Sequence, residues 1–361
     1  MPRIAEKEPP PGLRQLPAIL AGLLVICLVV PVRASDPPLE VKSDSQAPDF
    51  VEFQPPRPVG GIDSDSEIEQ QIFREGKEGW VQLEMMVDTK GKAYEVAVVD
   101  SSGGHAFEES AVRVAERLVF KPAMSGTTPV DGNFTGKIAF HNDQVASRAS
   151  PQFVVAYKGL LKALDAANKA LADQALAEMR VKNLYEDAFA GYGKYLYDCN
   201  WGTEVEQRAD LRRAVANEAL ARYLPDRVFR AALAAQLILD VQFNDYGGAL
   251  ETWETLAKIA HPMPPELQKT LDRVKAIQSG DQPVHMSAQI EKGTSWHGRL
   301  FRDRFGVSVS NGSVDQIKLR CKQKFVVFNF EPGVQYTITS KPGTCYIEVV
   351  GQTGTTFELT Q

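Results

Sequence analysis

The chain is poor in the residues that carry chemistry. Its 361 residues hold four cysteines and five histidines. None of His105, His141, His261, His285 and His297 stands in an HExxH arrangement, and no two cysteines have zinc-ligand spacing, so neither a metal nor any other cofactor is expected. Gly91-Lys92 lacks the upstream glycine of a phosphate loop. In Ser101-Ser102-Gly103-Gly104-His105 no serine has a glycine two residues to each side, and a histidine on the same helical turn cannot readily face a Ser Oγ, so the segment reads as a turn with a serine helix cap. Basic charge is also short: 40 Lys and Arg against 46 Asp and Glu, a net charge of −6 and a pI near 5.6, exclude nucleic acid and an anionic membrane surface as partners. No catalytic set can be assembled, and the chain is expected not to be an enzyme.

One charge-free apolar run stands out, Leu16 to Val32, behind Arg3, Lys7 and Arg14 and ahead of Val32-Arg33-Ala34 and Ser35-Asp36-Pro37-Pro38. Small residues before a polar, proline-rich start suit cleavage after Ala34, which predicts a signal peptide over 1–34 and a periplasmic protein after Sec export. The alternative is an inner-membrane anchor at residues 16–32, since about 17 residues is the lower limit for crossing. Cys27 follows the bulky Ile26, where a lipoprotein signal needs a small residue, so lipidation is not expected. Residues 35–54 read as a flexible linker, polar and spotted with proline.

From Gly79 to Phe140 the pattern is strand, strand, helix, strand. Val81, Leu83, Met85 and Val87 alternate with Gln82 and Glu84, and Asp88-Thr89-Lys90-Gly91 supplies a hairpin turn. Tyr94, Val96 and Val98 repeat the alternation on the return strand. Phe107, Ala111, Val114, Ala115 and Leu118 recur at helical steps, and Pro122 ends that unit.

These segments resemble the C-terminal domain of TonB, a periplasmic energy transducer. The resemblance rests on Glu78-Gly79-Trp80-Val81, Val87 to Gly91, Asp100-Ser101-Ser102-Gly103, Glu109-Ser110-Ala111-Val112, Phe120-Lys121-Pro122-Ala123, and Gly126 to Val130; the domain is placed at residues 55–145. It implies β-augmentation: the last core strand lends its edge to an extended peptide of an outer-membrane receptor or other envelope protein. Carried onto this chain, the partner-binding residues are Asn133, Phe134, Thr135, Gly136, Lys137, Ile138, Ala139 and Phe140. Leu16 to Val32 lacks the serine and histidine with which the family's anchors engage a proton-driven motor, so energy transduction is not expected.

From 151 to 280 the composition turns to Ala, Leu, Glu, Lys and Arg at helical spacing. Helices are expected at 204–222, 226–243, 246–260 and 266–277, after a break at Asp198 to Thr203. Asn244 to Leu250, leading to Trp253 and Leu256, resembles a tetratricopeptide-like repeat, although no clean period is visible, and an α-helical bundle or short solenoid is the expected form. Residues 284–361 show short β runs at 307–309, 317–320, 325–330, 335–339, 345–350 and 356–359, separated by turn residues, which predicts a β-sandwich. Cys321 and Cys345 lie in neighbouring runs and are the expected disulfide, leaving Cys199 as a helix-end thiol. Trp296-His297-Gly298-Arg299 reads as an exposed loop, a candidate anion contact, with Trp296 a candidate stacking platform for a carbohydrate.

The expected fold class is therefore multidomain α+β: a TonB-C-like domain, a helical middle region and a C-terminal β-sandwich. The expected role is a protein-protein adaptor in outer-membrane transport. The alternative is a periplasmic scaffold that uses the helical region and retains the TonB-like fold only structurally.

Overall fold

The computed structural model describes residues 53–59, 78–102, 104–140, 149–216, 223–259, 262–291, 293–338 and 345–361. The apolar run at 16–32 and the cleavage, lipidation and anchor readings lie outside them. Among the described residues no helix is long and apolar enough to cross a membrane. Pro38–Gln361 cluster as one compact unit, within which three modules pack on one another.

The first module begins with β1 (Phe53–Gln54) and β2 (Arg57–Pro58), then β3 (Gly79–Val87), β4 (Ala93–Ser101), α1 (His105–Arg117), β5 (Phe120–Lys121), β6 (Ala123–Ser125), β7 (Thr128–Val130) and β8 (Gly132–Phe140). The sequence reading placed residues 53–54 in the linker; they pair with β6 instead. The main sheet is antiparallel in the order β4-β3-β8, and α1 covers one face of it. The hairpin turn is held by the Asp88 carboxylate, which accepts from the N–H of Lys90 at 2.9 Å and of Lys92 at 2.8 Å. Gly91 has φ +81°, and a Cβ there would lie 1.9 Å from the Phe120 carbonyl oxygen, so only glycine fits.

Two local expectations need correction. The Ser101-Ser102 pair does not cap α1, whose N-cap is Gly104 without a side-chain bond. Ser102 Oγ accepts instead from the Trp80 N–H at 2.8 Å, and Ser101 Oγ donates to the Glu108 side chain in the first turn of α1 at 2.5 Å. Tyr94, Val96 and Val98 do not share a face. Two register shifts against β3, with Glu95 at φ +49°, bulge β4 and turn Tyr94 away from α1. Its hydroxyl donates to Asp131 at 2.7 Å, while Val96 and Val98 pack against the α1 core.

Among the described residues the middle module has seven helices: α2 (Pro151–Asp165), α3 (Lys169–Glu178), α4 (Leu184–Trp201), α5 (Glu204–Val215), α6 (Asp226–Gln242), α7 (Tyr246–Ala257) and α8 (Pro265–Ser279). Side-chain caps at Ser150, Asn168, Asn183, Thr203 and Asp245 set five of the starts. The expected break at Asp198 narrows to Gly202-Thr203. The Thr203–Glu206 capping box restarts the chain at once, leaving α4 free to run to Trp201. Cys199 lies in the last turn of α4.

The third module is β9 (His285–Gln289), β10 (Ser295–Leu300), β11 (Arg304–Asn311), β12 (Val314–Cys321), β13 (Lys324–Asn329), β14 (Gln335–Thr337), β15 (Cys345–Gly351) and β16 (Thr356–Thr360). Two antiparallel sheets, β10-β15-β12-β13 and β14-β11-β16-β9, enclose one apolar core, a β-sandwich. Strands β9 and β10 escape the sequence pattern because both are edge strands whose alternate residues are polar. Trp296-His297-Gly298-Arg299 is thus strand, not loop, and the Trp296 ring packs edge-on against Phe357 at 5.4 Å rather than standing free to stack on a sugar.

Cys321 and Cys345 are directly opposite in the β12–β15 pair and form the disulfide, with a Cα separation of 4.0 Å. Replacing both with alanine is expected to remove about 2–4 kcal/mol of stability. Urea midpoints of the double variant and of the oxidised parent check this; equal midpoints would show the bridge to be inert.

Candidate functional site

The predicted partner strand β8 pairs with β3 through nine consecutive residues without a register shift, from Val87↔Gly132 to Gly79↔Phe140. Side chains therefore alternate cleanly. Ile138 and Phe140 enter the α1 core, with Phe140 packed edge-on against Phe107 at 5.3 Å, and Phe134 meets Phe120 at 5.1 Å. Gly136 lies in the same alternating set, and its bare Cα accommodates the Phe134 ring, since a Cβ would lie 2.5 Å from it. Asn133, Thr135, Lys137 and Ala139 belong to the opposite face. Among the described residues no strand pairs with the outer edge of β8.

The other rim of the sheet is different in kind. β4 is bent by its bulges, and the Glu95 carbonyl accepts from Arg320 Nε of the sandwich at 3.2 Å. Of the two edges, only β8 is both straight and unpaired among the described residues.

The face of the sheet away from α1 is buried by the chain's own later modules. Trp80, Glu84 and Met86 are 2%, 3% and 0% exposed, although strict alternation with Val81, Leu83 and Met85 puts them opposite the α1 core. At one end the helical module covers this face. The Lys137 ammonium sits 4.2 Å above the Trp80 ring and donates to the Ala216 carbonyl after α5, and the Leu184 N–H at the start of α4 donates to Glu78 at 3.1 Å. At the other end lies the sandwich.

The sandwich presents a charged platform there. Cross-strand register aligns His297, Glu348 and Lys318 in one row of β10, β15 and β12, and Arg299, Tyr346 and Arg320 in the next. Opposite them stand acids from the other two modules. Lys318 pairs with Glu95 at 3.4 Å and Arg299 with Glu254 of α7 at 3.0 Å, while His297 Nδ1 lies 3.8 Å from Glu84. Arg320 is 1% exposed; it donates to Glu348 at 2.7 Å and lies over the Phe325 ring at 5.6 Å. Helix α7 approaches so closely that a Cβ on Gly247 would fall 1.9 Å from the Arg299 carbonyl oxygen.

Charge at this junction is unevenly balanced. Burial pushes the Glu251 carboxyl up to about 7, against the stabilising Tyr346 hydroxyl and Arg299, and Glu84 and Asp245 push it further. Burial, then the Glu251 charge, raises Tyr346 above the ordinary phenol range. The platform residues are not legible as a group in the sequence. Their one signal is the alternation of charged and apolar residues in Lys318 to Arg320 and Tyr346 to Glu348, which predicts a polar sheet face but not what meets it.

The family described as Gram-negative bacterial TonB protein C-terminal matches residues 70–141, about a fifth of the chain. The chain carries a TonB C-terminal domain. Among solved structures, the solution structure of the Pseudomonas aeruginosa TonB C-terminal domain is similar at 18% identity, covering 26% of this chain and 90% of that one with a TM-score of 0.22. No curated protein matches the chain. The TonB-type match ends at residue 141, ahead of the helical and sandwich modules, which cover the outer face of the TonB-type sheet and leave the edge of β8 without a paired strand among the described residues.

Proposed function

We propose that this chain is an envelope protein, exported to the periplasm, that acts by binding rather than catalysis. Its TonB C-terminal domain takes up an extended segment of an outer-membrane receptor or other envelope protein along Asn133–Phe140. The observation that carries this reading is the contrast between the two sheet edges: nine residues in unbroken register on β8, against a bulged β4 whose Glu95 carbonyl is taken by Arg320. A guest strand needs a row of evenly spaced amides and carbonyls, and a bulge destroys that spacing. Main-chain bonds along β8 supply affinity, and the alternating side chains of the guest supply specificity.

A second reading has its own support. Because the helical and sandwich modules bury the outer face of the sheet, the domain also serves as the base on which a repeat-like helical scaffold is mounted. The two readings part at β8.

Thr135→Pro removes one N–H from the middle of β8, at a stability cost of about 3 kcal/mol or less for an edge strand. Affinity capture from outer-membrane extract, with a thermal melt as the folding control, is expected to lose its β8-dependent partner. Undiminished capture by a folded Thr135→Pro variant would move the binding surface to the helices.

A further inference from the structure

We propose that β13 is a self-association edge: two copies of this chain pair antiparallel along Lys324–Asn329 about a two-fold axis and join their sandwiches into one continuous sheet. This goes beyond the β8 reading and does not depend on it.

Among the described residues the sandwich has four edge strands, and three of them are closed or short. β10 lies under α7, whose backbone comes so near the Arg299 carbonyl that Gly247 has no room for a side chain. The exposed residues of β9, His285, Ser287 and Gln289, are all polar, and the His285 carbonyl already accepts from Asn244 Nδ2 of the helical module at 2.9 Å. β14 has only three residues. β13 differs from all of them. Its six residues pair with β12 without a register shift, from Gln316↔Asn329 to Cys321↔Lys324, and among the described residues no strand lies on its other side. Its outward amides and carbonyls are therefore evenly spaced for another strand.

Edge strands are ordinarily guarded by a proline, a bulge or a charge along their length. Lys324-Phe325-Val326-Val327-Phe328-Asn329 has none of these, since its single charge, Lys324, stands at one end. Val326 and Phe328 pack on the sandwich core, where Phe328 meets Tyr336 of the facing sheet at 4.9 Å, yet both stay only half-buried. On the opposite face Phe325 meets the Tyr94 ring edge-on at 6.3 Å, but Val327 is 44% exposed. The TonB-type domain thus stops short of the middle of the strand.

Pairing geometry and charge select a second copy as the occupant. A two-fold axis normal to the sheet sets residues of the same face opposite each other. Centred on Val327, it places Val326 against Phe328 of the second copy and Phe325 against Asn329, with no like charges opposed. Antiparallel pairing also brings the start of one strand beside the end of the other. There Lys324 of each copy comes next to the exposed Glu331 of the other, at both ends of the pair. An in-register parallel pair would instead set Lys324 beside Lys324. A six-residue strand pair buries less than the roughly 1,000 Å² of a stable interface, so the association is expected to be reversible and concentration-dependent.

The test is sedimentation velocity of the full chain over a wide range of concentration, with near-UV circular dichroism as the folding control. Four samples are compared: the parent, Val327→Lys, Val327→Glu, and an equimolar mixture of the two variants. The parent is expected to pass from monomer to dimer as concentration rises. Each variant alone sets like charges against each other at the centre of the pair, which is expected to raise the dimer dissociation constant about tenfold. The mixture sets opposite charges there and is expected to recover association. A parent that stays monomeric throughout overturns the proposal, as do charged variants that dimerise like the parent. A mixture no better than either variant also overturns it, because a two-fold axis at β13 must bring the two charges together. Should the Val327 variants not fold, Lys324→Glu replaces them: it turns both end attractions into repulsions and is expected to weaken the dimer, and Glu331→Lys added to the same chain is expected to restore it. No loss from the first, or no recovery from the second, overturns the proposal. Capture at β8 is not read in this experiment, so the failure of either reading leaves the other standing.

Discussion

Arg320→Ala is expected to cost about 3–5 kcal/mol, because it strips the counter-ion from a buried carboxylate rather than deleting a surface charge. Arg320 is 1% exposed, and its guanidinium touches three strands: Glu348 on β15 at 2.7 Å, the Glu95 carbonyl on β4 at 3.2 Å and the Phe325 ring on β13. Alanine leaves Glu348, itself 7% exposed, without its positive partner in a low-dielectric seam. It also leaves the bulged Glu95 carbonyl without that donor. The loss should appear as a drop in the urea midpoint and as earlier proteolytic release of the TonB-type domain from the sandwich. Arg320→Met combined with Glu348→Leu should recover much of it, since an apolar pair of similar volume removes both desolvated charges together. If the double variant is as unstable as Arg320→Ala, packing rather than the uncompensated charge governs the site.

Trp80→Ala is the other large effect, at about 3–5 kcal/mol for deletion of a buried aromatic. Trp80 is 2% exposed on the sheet face turned from α1, where it fills the seam with the helical module. Its ring also bears the Lys137 ammonium at 4.2 Å, and that ammonium binds the Ala216 carbonyl. Removing the ring opens a cavity and deprives a half-buried cation of its aromatic face. Trp80→Phe keeps a smaller apolar body and part of the cation contact, so it should fall between parent and alanine. Denaturant midpoints of the three proteins give the order, and an undiminished midpoint for Trp80→Ala would show that the seam closes without it.

Much of the architecture is legible before any coordinates. The alternation of Val81, Leu83, Met85 and Val87 fixes which side of β3 meets α1, and the stripe of Phe107, Ala111, Val114 and Ala115 fixes which side of α1 meets it in return. Cys321 and Cys345 sit in adjacent β runs, and their pairing follows from the register of β12 on β15. What the pattern leaves blank is the second face of the sheet. Glu84 looks like a solvent residue because it is charged and alternates with apolar ones, yet it is 3% exposed, since a helix and a sheet from far along the chain arrive over it. Strands β9 and β10 escape for a related reason: an edge strand with one polar face carries too few apolar residues to stand out, and its partners are supplied by register with distant strands.

Local chemistry, then, was sufficient to name the modules: two-residue alternation, helical stripes, a positive-φ glycine and a cysteine pair each act within a strand or a helix. Which surfaces remain available was decided by the tertiary structure alone. Burial of the outer sheet face and capture of the Glu95 carbonyl at the β4 bulge both depend on contacts between distant parts of the chain, from Leu184 on Glu78 to Arg320 on Glu95. No periodicity encodes such a contact, because the free energy of bringing two modules together resides in the fit of both.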